Sequence, residues 1–265
     1  MGTSRRVFLG LVAATPLLTR CVTACAAAGY ASYSEIYRDP ALHEGVDWGR
    51  RMVRHPAFDR TAFGRTVVFA PHGGGIEPGT SELALAVAGY HPATLAASGA
   101  VQDYWMFEGL RASGNAELHV TSTGCDDHYA RSLAAGALNA VALHGCSVTE
   151  AERDWRPLPN PACALVGGAN ADLRARVVSA LTGAGISAVD ASSHPTLDGT
   201  DPGNIVNRTL LGAGVQVETT TPLRAGMFTT NTGAQRKHTT TALFWDFAGA
   251  VRSAVAGLEA TQVIL

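Results

Sequence analysis

The stretch Thr66-Val-Val-Phe-Ala-Pro-His-Gly-Gly-Gly-Ile-Glu77 decides the fold of this chain. Its first five residues form a compact, β-branched apolar run that a proline and three glycines end, so they predict a buried strand. A helical stretch at 81–88 follows, with Thr80 or Ser81 placed to cap it. This order of buried strand, glycine turn and helix is typical of α/β proteins.

The alternation of apolar runs and helical stretches continues to the end of the chain. We predict further strands at 104–107, 117–121, 139–144, 162–166, 186–190 and 214–219, and helices at 130–138, 172–181 and about 240–259. Residues 30–64 are polar and turn-rich, and we expect a surface segment there. The pattern predicts one α/β domain over 30–265, a mixed sheet flanked by helices.

Bulk composition excludes several classes of partner. The 265 residues are 46% hydrophobic, which is ample for one core, and the formal net charge is -2. Because no long basic or acidic run is present, we expect no nucleic acid and no membrane bound through charge. Neither a phosphate-binding Gly-x-x-x-x-Gly-Lys loop nor a Gly-x-Gly-x-x-Gly fingerprint occurs, so nucleotide binding has no support.

The amino-terminal residues differ in character from the rest. Thr3-Ser-Arg-Arg-Val-Phe-Leu9 places two arginines ahead of a short apolar run, and small residues follow. This pattern predicts a twin-arginine-type signal segment over 1–29 and export to the cell surface or beyond. Cleavage after Ala24-Cys-Ala26 and lipidation of Cys25, in the lipobox-like Val22-Thr-Ala-Cys25, both stay open. A retained anchor helix is the alternative, and a lipid on Cys25 would be the expected link to a membrane.

Three cysteines remain outside the signal segment: Cys125, Cys146 and Cys163. Their number is odd and no Cys-x-x-Cys pair exists, which excludes a structural zinc knuckle. Spacing alone leaves one disulfide open. The expected state of each is a buried free thiol.

Three apolar runs end in a residue that binds metals or transfers protons. These residues are His72, His144 and Glu218. In open α/β sheets, sites form outside the carboxyl ends of the strands. We therefore expect the three side chains at one edge of the sheet.

The pair His72 and Glu77 suggests a metal site. On a helix, a spacing of five residues would turn these side chains apart, whereas a glycine loop can double back and bring both to one ion. Catalytic zinc takes three protein ligands, and two histidines with one glutamate are a known set. His144 supplies the second histidine. The predicted ligands of one Zn²⁺ are thus His72, Glu77 and His144.

His-Gly-Gly-Gly also forms the oxyanion loop of lipase-type α/β hydrolases. That fold needs a Gly-x-Ser-x-Gly nucleophile elbow, which this chain lacks, because 145–149 and 79–83 each miss the final glycine. The serine-hydrolase interpretation is therefore excluded.

The other histidines give weaker signals. His119 lies in the predicted strand 117–121 and its direction stays open. Asp126 and Asp127, ahead of His128, are best interpreted as a solvated loop before a helix. We expect the remaining five at the surface: His43, His55, His91, His194 and His238.

The segment Ala70-Pro-His-Gly-Gly-Gly-Ile-Glu-Pro-Gly-Thr-Ser-Glu82 resembles the poly-γ-glutamate hydrolase family, zinc enzymes of bacteria and their phages. Further segments resemble the same family in the same order: Leu118-His-Val-Thr-Ser-Thr123, Val141-Ala-Leu-His-Gly145, Gly203-Asn-Ile-Val-Asn-Arg208 and Gly214-Val-Gln-Val-Glu218. The resemblance covers roughly 66–228 and is far more specific than any single motif.

The resemblance implies a zinc carboxypeptidase-like core and cleavage of the γ-glutamyl amide bonds of poly-γ-glutamate. It implies that His72, Glu77 and His144 hold the zinc and that Glu218 is the catalytic carboxylate. The spacing of His72 and Glu77 departs from the His-x-x-Glu of zinc carboxypeptidases, so the likeness to those enzymes is architectural.

Asn207 and Arg208 resemble the substrate-carboxylate pair of that wider group. The planar fork of an arginine suits a carboxylate, and poly-γ-glutamate has one on every residue. Two alternatives stay open. A zinc amidase or acylase could act on another carboxylate-bearing amide, such as a cell-wall peptide or an acyl amino acid. A surface metal-binding lipoprotein would need neither Glu218 nor Arg208.

Overall fold

The computed structural model describes residues 29–55 and 63–262. The predicted signal segment, apart from Gly29, lies outside these residues, and Cys25 lies outside them too. No helix in this described part of the chain is long and apolar enough to span a bilayer.

Seven strands of the described chain form one mixed sheet. They are β1 (Trp48–Val53), β2 (Phe63–Gly74), β3 (Val101–Gly109), β4 (Asn139–Cys146), β5 (Ala164–Gly167), β6 (Ala188–Asp190) and β7 (Val215–Thr220). Their order is β1-β3-β2-β4-β7-β5-β6. The four central strands run parallel, while β1 is antiparallel to β3 and β5 is antiparallel to β7. The carboxyl ends of β2, β4 and β7 therefore meet at one edge, as predicted.

Helices cover both faces of the sheet, which confirms the predicted architecture. They are α1 (Tyr33–Arg38), α2 (Thr80–Val87), α3 (His128–Gly136), α4 (Val148–Glu152), α5 (Ala171–Gly183), α6 (Thr221–Gly226) and α7 (Ala242–Glu259). The first core lies between the sheet and α2, α5 and α7, and the second core lies between the sheet and α1 and α3. Alternate strand residues serve the two cores: Val68 points into the first, and Val67 and Phe69 point into the second.

The expectation of a surface segment over 30–64 is wrong. This region contains α1 and β1, and it buries Tyr33, Ile36 and Trp48 in the second core. The hydroxyl of Tyr33 donates to the Pro71 carbonyl oxygen at 2.6 Å, which ties α1 to the strand that precedes the glycine loop. Although most residues of the segment are polar, a few large apolar side chains pack into the second core and fix its position.

The predicted strand 117–121 is also wrong. The chain forms a 3-10 helix at Asn115–Leu118 and then crosses the end of the sheet as an extended loop. Leu118 and Val120 are both fully buried in the second core. Their alternation reflects packing of the loop against this core, without a sheet partner.

Other surface assignments need correction as well. His194 is buried, with its ring 5.0 Å from that of Trp155. Asp127 precedes a helix as predicted, but its side chain is buried and caps α3 by accepting from the backbone N–H groups of Tyr129 and Ala130, both at 2.9 Å. The three predicted thiols are confirmed as free and buried.

Candidate metal centre

The glycine loop after β2 brings Glu77 back to His72. Gly74 adopts a φ of 65°, which favours glycine, and the backbone N–H of Glu77 donates to the carbonyl oxygen of His72 at 2.9 Å. Thr80 does not cap α2, since its hydroxyl lies 2.9 Å from the carbonyl oxygen of Glu77 and 3.2 Å from that of His72. The N-cap is Gly79, so the predicted capping role of Thr80 or Ser81 is wrong.

The ring of His72 has a fixed orientation. Its Nε2 donates to the carbonyl oxygen of Val120 at 2.6 Å. Its Nδ1 therefore faces inward, 2.8 Å from Oε1 of Glu77. An outer hydrogen bond that leaves the inner nitrogen available is the arrangement that metal-binding histidines commonly show.

His144 reaches the same place from the end of β4. Its Nδ1 lies 3.1 Å from Nδ1 of His72 and 3.7 Å from Oε2 of Glu77. Its Nε2 is hydrogen-bonded to the hydroxyl of Ser122 at 3.2 Å. The structure thus brings together all three predicted ligands.

His119, whose direction the sequence leaves open, joins this cluster. Its Nε2 lies 3.6 Å from Oε1 of Glu77, and its ring centroid lies 3.8 Å from that of His72. His72, Glu77 and His119 each place one ligand atom within 4.8 Å of the other two. The side chain of His119 is 37% exposed whereas that of His144 is 3% exposed, so His119 lies on the open side of the cluster.

The spacing of these atoms suits a metal ion. With bonds of about 2.0–2.1 Å, the ligand atoms of a tetrahedral zinc site lie about 3.3 Å apart. Ligand atoms in four pairs of these residues lie 2.8 to 3.7 Å apart: His72 with Glu77, His72 with His144, Glu77 with His119, and Glu77 with His144. The cluster is therefore a candidate metal site with one more histidine than the predicted set.

Burial and mutual charge set the ionisation of the cluster. Burial lowers the pKa of His144 to about 3, so this imidazole is neutral. Burial also lowers the pKa of His72, but the Glu77 carboxylate outweighs it and the net pKa is raised. For Glu77, burial raises the pKa, yet the charge of His72 and bonds from His119 and His72 leave it lowered. Glu77 as a carboxylate and His144 as a neutral imidazole are thus in the forms that bind metals. The raised pKa of His72 means that this imidazole would have to release a proton when an ion binds.

Glu218 lies beside this cluster on β7. It is buried, and its Oε1 accepts a hydrogen bond from Nε2 of Gln216 at 3.0 Å. Burial, and then the negative charge of Glu77, raise the pKa of Glu218 well above its ordinary value. Sequence reasoning missed Gln216, although a residue two positions earlier on the same strand shares the face of Glu218.

The two predicted substrate-binding residues lie in different environments. Asn207 is buried and its amide is saturated, donating to the carbonyl oxygens of Gly199 and Asp201 and accepting from two backbone N–H groups. Arg208 donates from Nε to the Gly203 carbonyl oxygen at 2.9 Å, and its terminal nitrogens form no hydrogen bond with described residues. Asn207 therefore holds the loop in place, and Arg208 keeps guanidinium N–H donors that no described residue accepts.

The fold and the site define an α/β protein with a candidate metal centre at the carboxyl edge of its sheet. The family model described as poly-gamma-glutamate hydrolase matches residues 30–250. The chain belongs to the poly-gamma-glutamate hydrolase family, which confirms the resemblance seen in the motifs.

Two curated relatives come from Bacillus subtilis (strain 168). The SPbeta prophage-derived UPF0714 protein YoqZ is 36% identical over 69% of this chain, and the UPF0714 protein YndL is 30% identical over 68%. The matched regions span 59% of YoqZ and 63% of YndL, which is less than two thirds of either relative.

Two solved structures share the fold. A bacteriophage poly-gamma-glutamate hydrolase superposes with a TM-score of 0.71 at 31% identity, covering 88% of this chain and 99% of that one. A zinc-free form of YndL superposes with a TM-score of 0.70 at 26% identity, covering 87% and 98%.

Proposed function

We propose that this protein is an exported, zinc-dependent hydrolase that cleaves the γ-glutamyl amide bonds of poly-γ-glutamate. The observation that carries the proposal is the convergence of His72, Glu77 and His144, with Glu218 next to them, at one edge of the sheet. Membership of the poly-gamma-glutamate hydrolase family supports the substrate class.

Zinc fits the residues present. The inward nitrogens of His72 and His144 and the carboxylate of Glu77 make a set of two histidines and one glutamate, which leaves a coordination position open. The description of the YndL structure as zinc-free supports the same metal. We assign His119 to the open side, where substrate would approach. Zinc, when bound, supplies Lewis-acid polarisation of the amide carbonyl and acidifies a water molecule.

Glu218 is the proposed general base and general acid. Gln216 occupies its Oε1, while Oε2 has no hydrogen-bond partner among the described residues. Oε2 takes a proton from the attacking water, whose oxygen bonds to the amide carbon. As the carbon–nitrogen bond breaks, the same oxygen returns that proton to the leaving amine. Burial and Glu77 raise the pKa of Glu218, which suits a group that must both take and give a proton.

Arg208 is the proposed reader of a substrate carboxylate. Its terminal nitrogens are available for a paired hydrogen bond to one α-carboxylate of the polymer. Asn207 fixes the loop that presents it, because four backbone groups bind its amide. In the proposal, Asn207 thus contributes to substrate binding through Arg208.

Export rests on the amino-terminal pattern alone. The paired arginines Arg5 and Arg6, followed by an apolar run, support the twin-arginine route. Expression of the full chain with these two residues changed to lysine, followed by fractionation, tests it. Retention of the changed chain in the cytoplasm is expected, and unchanged export would contradict the proposal.

The central experiment combines metal content with hydrolysis. The purified chain should contain about one zinc per molecule, shorten poly-γ-glutamate, and stop doing so when a chelator removes the metal. Muropeptides and N-acyl amino acids serve as parallel substrates. Faster turnover of either would replace the polymer by another carboxylate-bearing amide, and a zinc-loaded chain without activity on any would refute the enzyme assignment.

A further inference from the structure

Arg224 is a buried cation whose charge acts on the carboxylate of Glu218 and lowers the pKa of that group, against the larger effect of burial. It lies in α6, directly after β7, and is only 7% exposed. Among the described residues it forms no ion pair, and its one hydrogen bond runs from Nη1 to the carbonyl oxygen of Thr219. An arginine carries five N–H donors, and a buried charge is costly when it is left unpaired. Four of these donors have no hydrogen-bond partner among the described residues.

The guanidinium of Arg224 lies against the metal centre. A Cβ at Gly145 would overlap it, with Nη2 only 2.8 Å from that position, so the glycine makes room for the arginine. The backbone N–H of the same glycine donates to Oε2 of Glu77 at 2.7 Å. One peptide unit thus separates the guanidinium from the proposed zinc ligand.

Arg224 and Arg208 belong to segments that pack on opposite faces of the sheet. The neighbours of Arg224 in and after α6, Leu223, Met227 and Phe228, are buried in the first core. Arg208 ends the 3-10 helix Ile205–Asn207, which packs into the second core. The side chains of His144 and Glu218 project from the face that carries Arg208, and Arg224 approaches the same strand ends from the other face, beside Gly145.

Arg236, a second buried arginine, differs from Arg224 because it is paired with a carboxylate. It is 5% exposed, and its Nε lies 3.3 Å from Oε1 of Glu82 while Nη2 donates to the Gly74 carbonyl oxygen at 3.0 Å. In the part of the chain that the structure describes, no carboxylate lies at ion-pair distance from Arg224.

We propose that Arg224 binds an α-carboxylate of the substrate on the side of the scissile amide opposite to the residue held by Arg208. The inference rests on the proposed function and narrows its substrate class: a good substrate carries one carboxylate on each side of the bond that is cut. A simple acyl amino acid has a carboxylate on one side of its amide only, so it can pair with one of the two arginines but not with both.

The test uses γ-linked glutamate oligomers of one length in which a single α-carboxylate is replaced by a carboxamide, one position at a time. The zinc-loaded native chain should lose about 10- to 100-fold in kcat/KM for the replacement that faces Arg224. Arg224→Gln should lose a similar factor on the unmodified oligomer and nothing more for that same replacement. Arg224→Lys should recover part of the loss, because it keeps the charge without the fork.

Arg252→Gln is the matched control. Arg252 binds three carbonyl oxygens, of Val87, Ser98 and Ala100, far from the proposed site, so this variant should keep the native preference among oligomers. Equal losses for every oligomer in Arg224→Gln, together with a lower melting temperature, would overturn the proposal by showing a structural arginine. An unchanged preference would overturn it as well.

A separate readout distinguishes this inference from the proposed function. If the native chain hydrolyses none of the oligomers, the proposed function fails, and calorimetric binding of the unmodified oligomer to the native chain and to Arg224→Gln decides the inference. Weaker binding to the variant supports a carboxylate site at Arg224. Equal binding, or no binding to either, refutes it.

Discussion

His144 and Glu218 lie opposite each other in register on the parallel strands β4 and β7. Their chain neighbours Leu143 and Val217 point into the first core, so both polar side chains project from the other face of the sheet. Strand pairing alone therefore holds a proposed metal ligand beside the proposed general base. Such a pair on rigid strands needs no loop movement to form.

Glu218→Gln should lower kcat by about 100- to 10,000-fold while zinc content stays at the native value. Glutamine keeps the volume of the side chain, and its carbonyl oxygen can still accept from Gln216, but it cannot take a proton from water. Steady-state kinetics and metal analysis of the same sample test this. Hydrolysis at the native rate would remove Glu218 from the mechanism.

Separate removal of the two candidate third ligands should give unequal effects. His144→Ala should weaken zinc binding by at least about 100-fold, because this buried imidazole faces His72 and Glu77. His119→Ala, on the exposed side, should change zinc affinity by less than about tenfold and act mainly on turnover.

Competition with a chromophoric chelator measures both affinities. A larger loss of zinc affinity in His119→Ala than in His144→Ala would assign the third ligand to His119. Ser122→Ala is a useful intermediate, since it removes only the hydroxyl that is hydrogen-bonded to Nε2 of His144.

Local sequence predicted most of this site because its main parts are local. An apolar run that ends in His72, followed by three glycines and Glu77, already contains the turn that brings the pair together. Strand ends placed His144 and Glu218 at the same edge. The position of His119 could not be predicted, because the loop that carries it is held by contacts far apart in sequence, such as the bond from His72 to the Val120 carbonyl oxygen.

The difference between local patterns and distant contacts also explains why the sequence did not predict α1. Its six residues are too short to show a helical period, and its position depends on Tyr33, which packs 4.6 Å from Phe107 and bonds Pro71. Contacts across 38 residues leave no local pattern to read. Sequence reasoning therefore succeeded where the chain folds back on its neighbours and failed where distant segments meet.

Asp127→Ala should destabilise the fold by about 3–5 kcal/mol. Its side chain caps α3, accepts from the Tyr37 hydroxyl at 2.8 Å and forms an ion pair with Arg50 at 3.0 Å, with no exposure of its own. Among the described residues, the variant leaves the partly buried guanidinium of Arg50 with one paired carboxylate, that of Glu44.

Urea denaturation measures this loss in free energy of unfolding. Glu44→Gln is the matched control, because Glu44 pairs with the same arginine but is 46% exposed, and about 1 kcal/mol or less is expected there. Equal losses in the two variants would show that burial of Asp127 adds nothing.

Gln216→Leu should move the acidic limb of the kcat profile to higher pH by about one unit. The amide of Gln216 donates to Oε1 of Glu218 at 3.0 Å, and a donor stabilises the ionised carboxylate. Without that donor the pKa of Glu218, already raised by burial and by Glu77, rises further. Because Glu218 must be ionised to accept a proton, activity then begins at higher pH.

Asn204 gives this last prediction a graded control. Its Nδ2 donates to Oε1 of Gln216 at 2.8 Å and so fixes which end of that amide faces Glu218. Asn204→Leu should therefore shift the same limb in the same direction by a smaller amount, with zinc content unchanged in both variants. If Gln216→Leu lowers kcat equally at every pH, the amide acts only in packing and Glu218 does not depend on it for its charge.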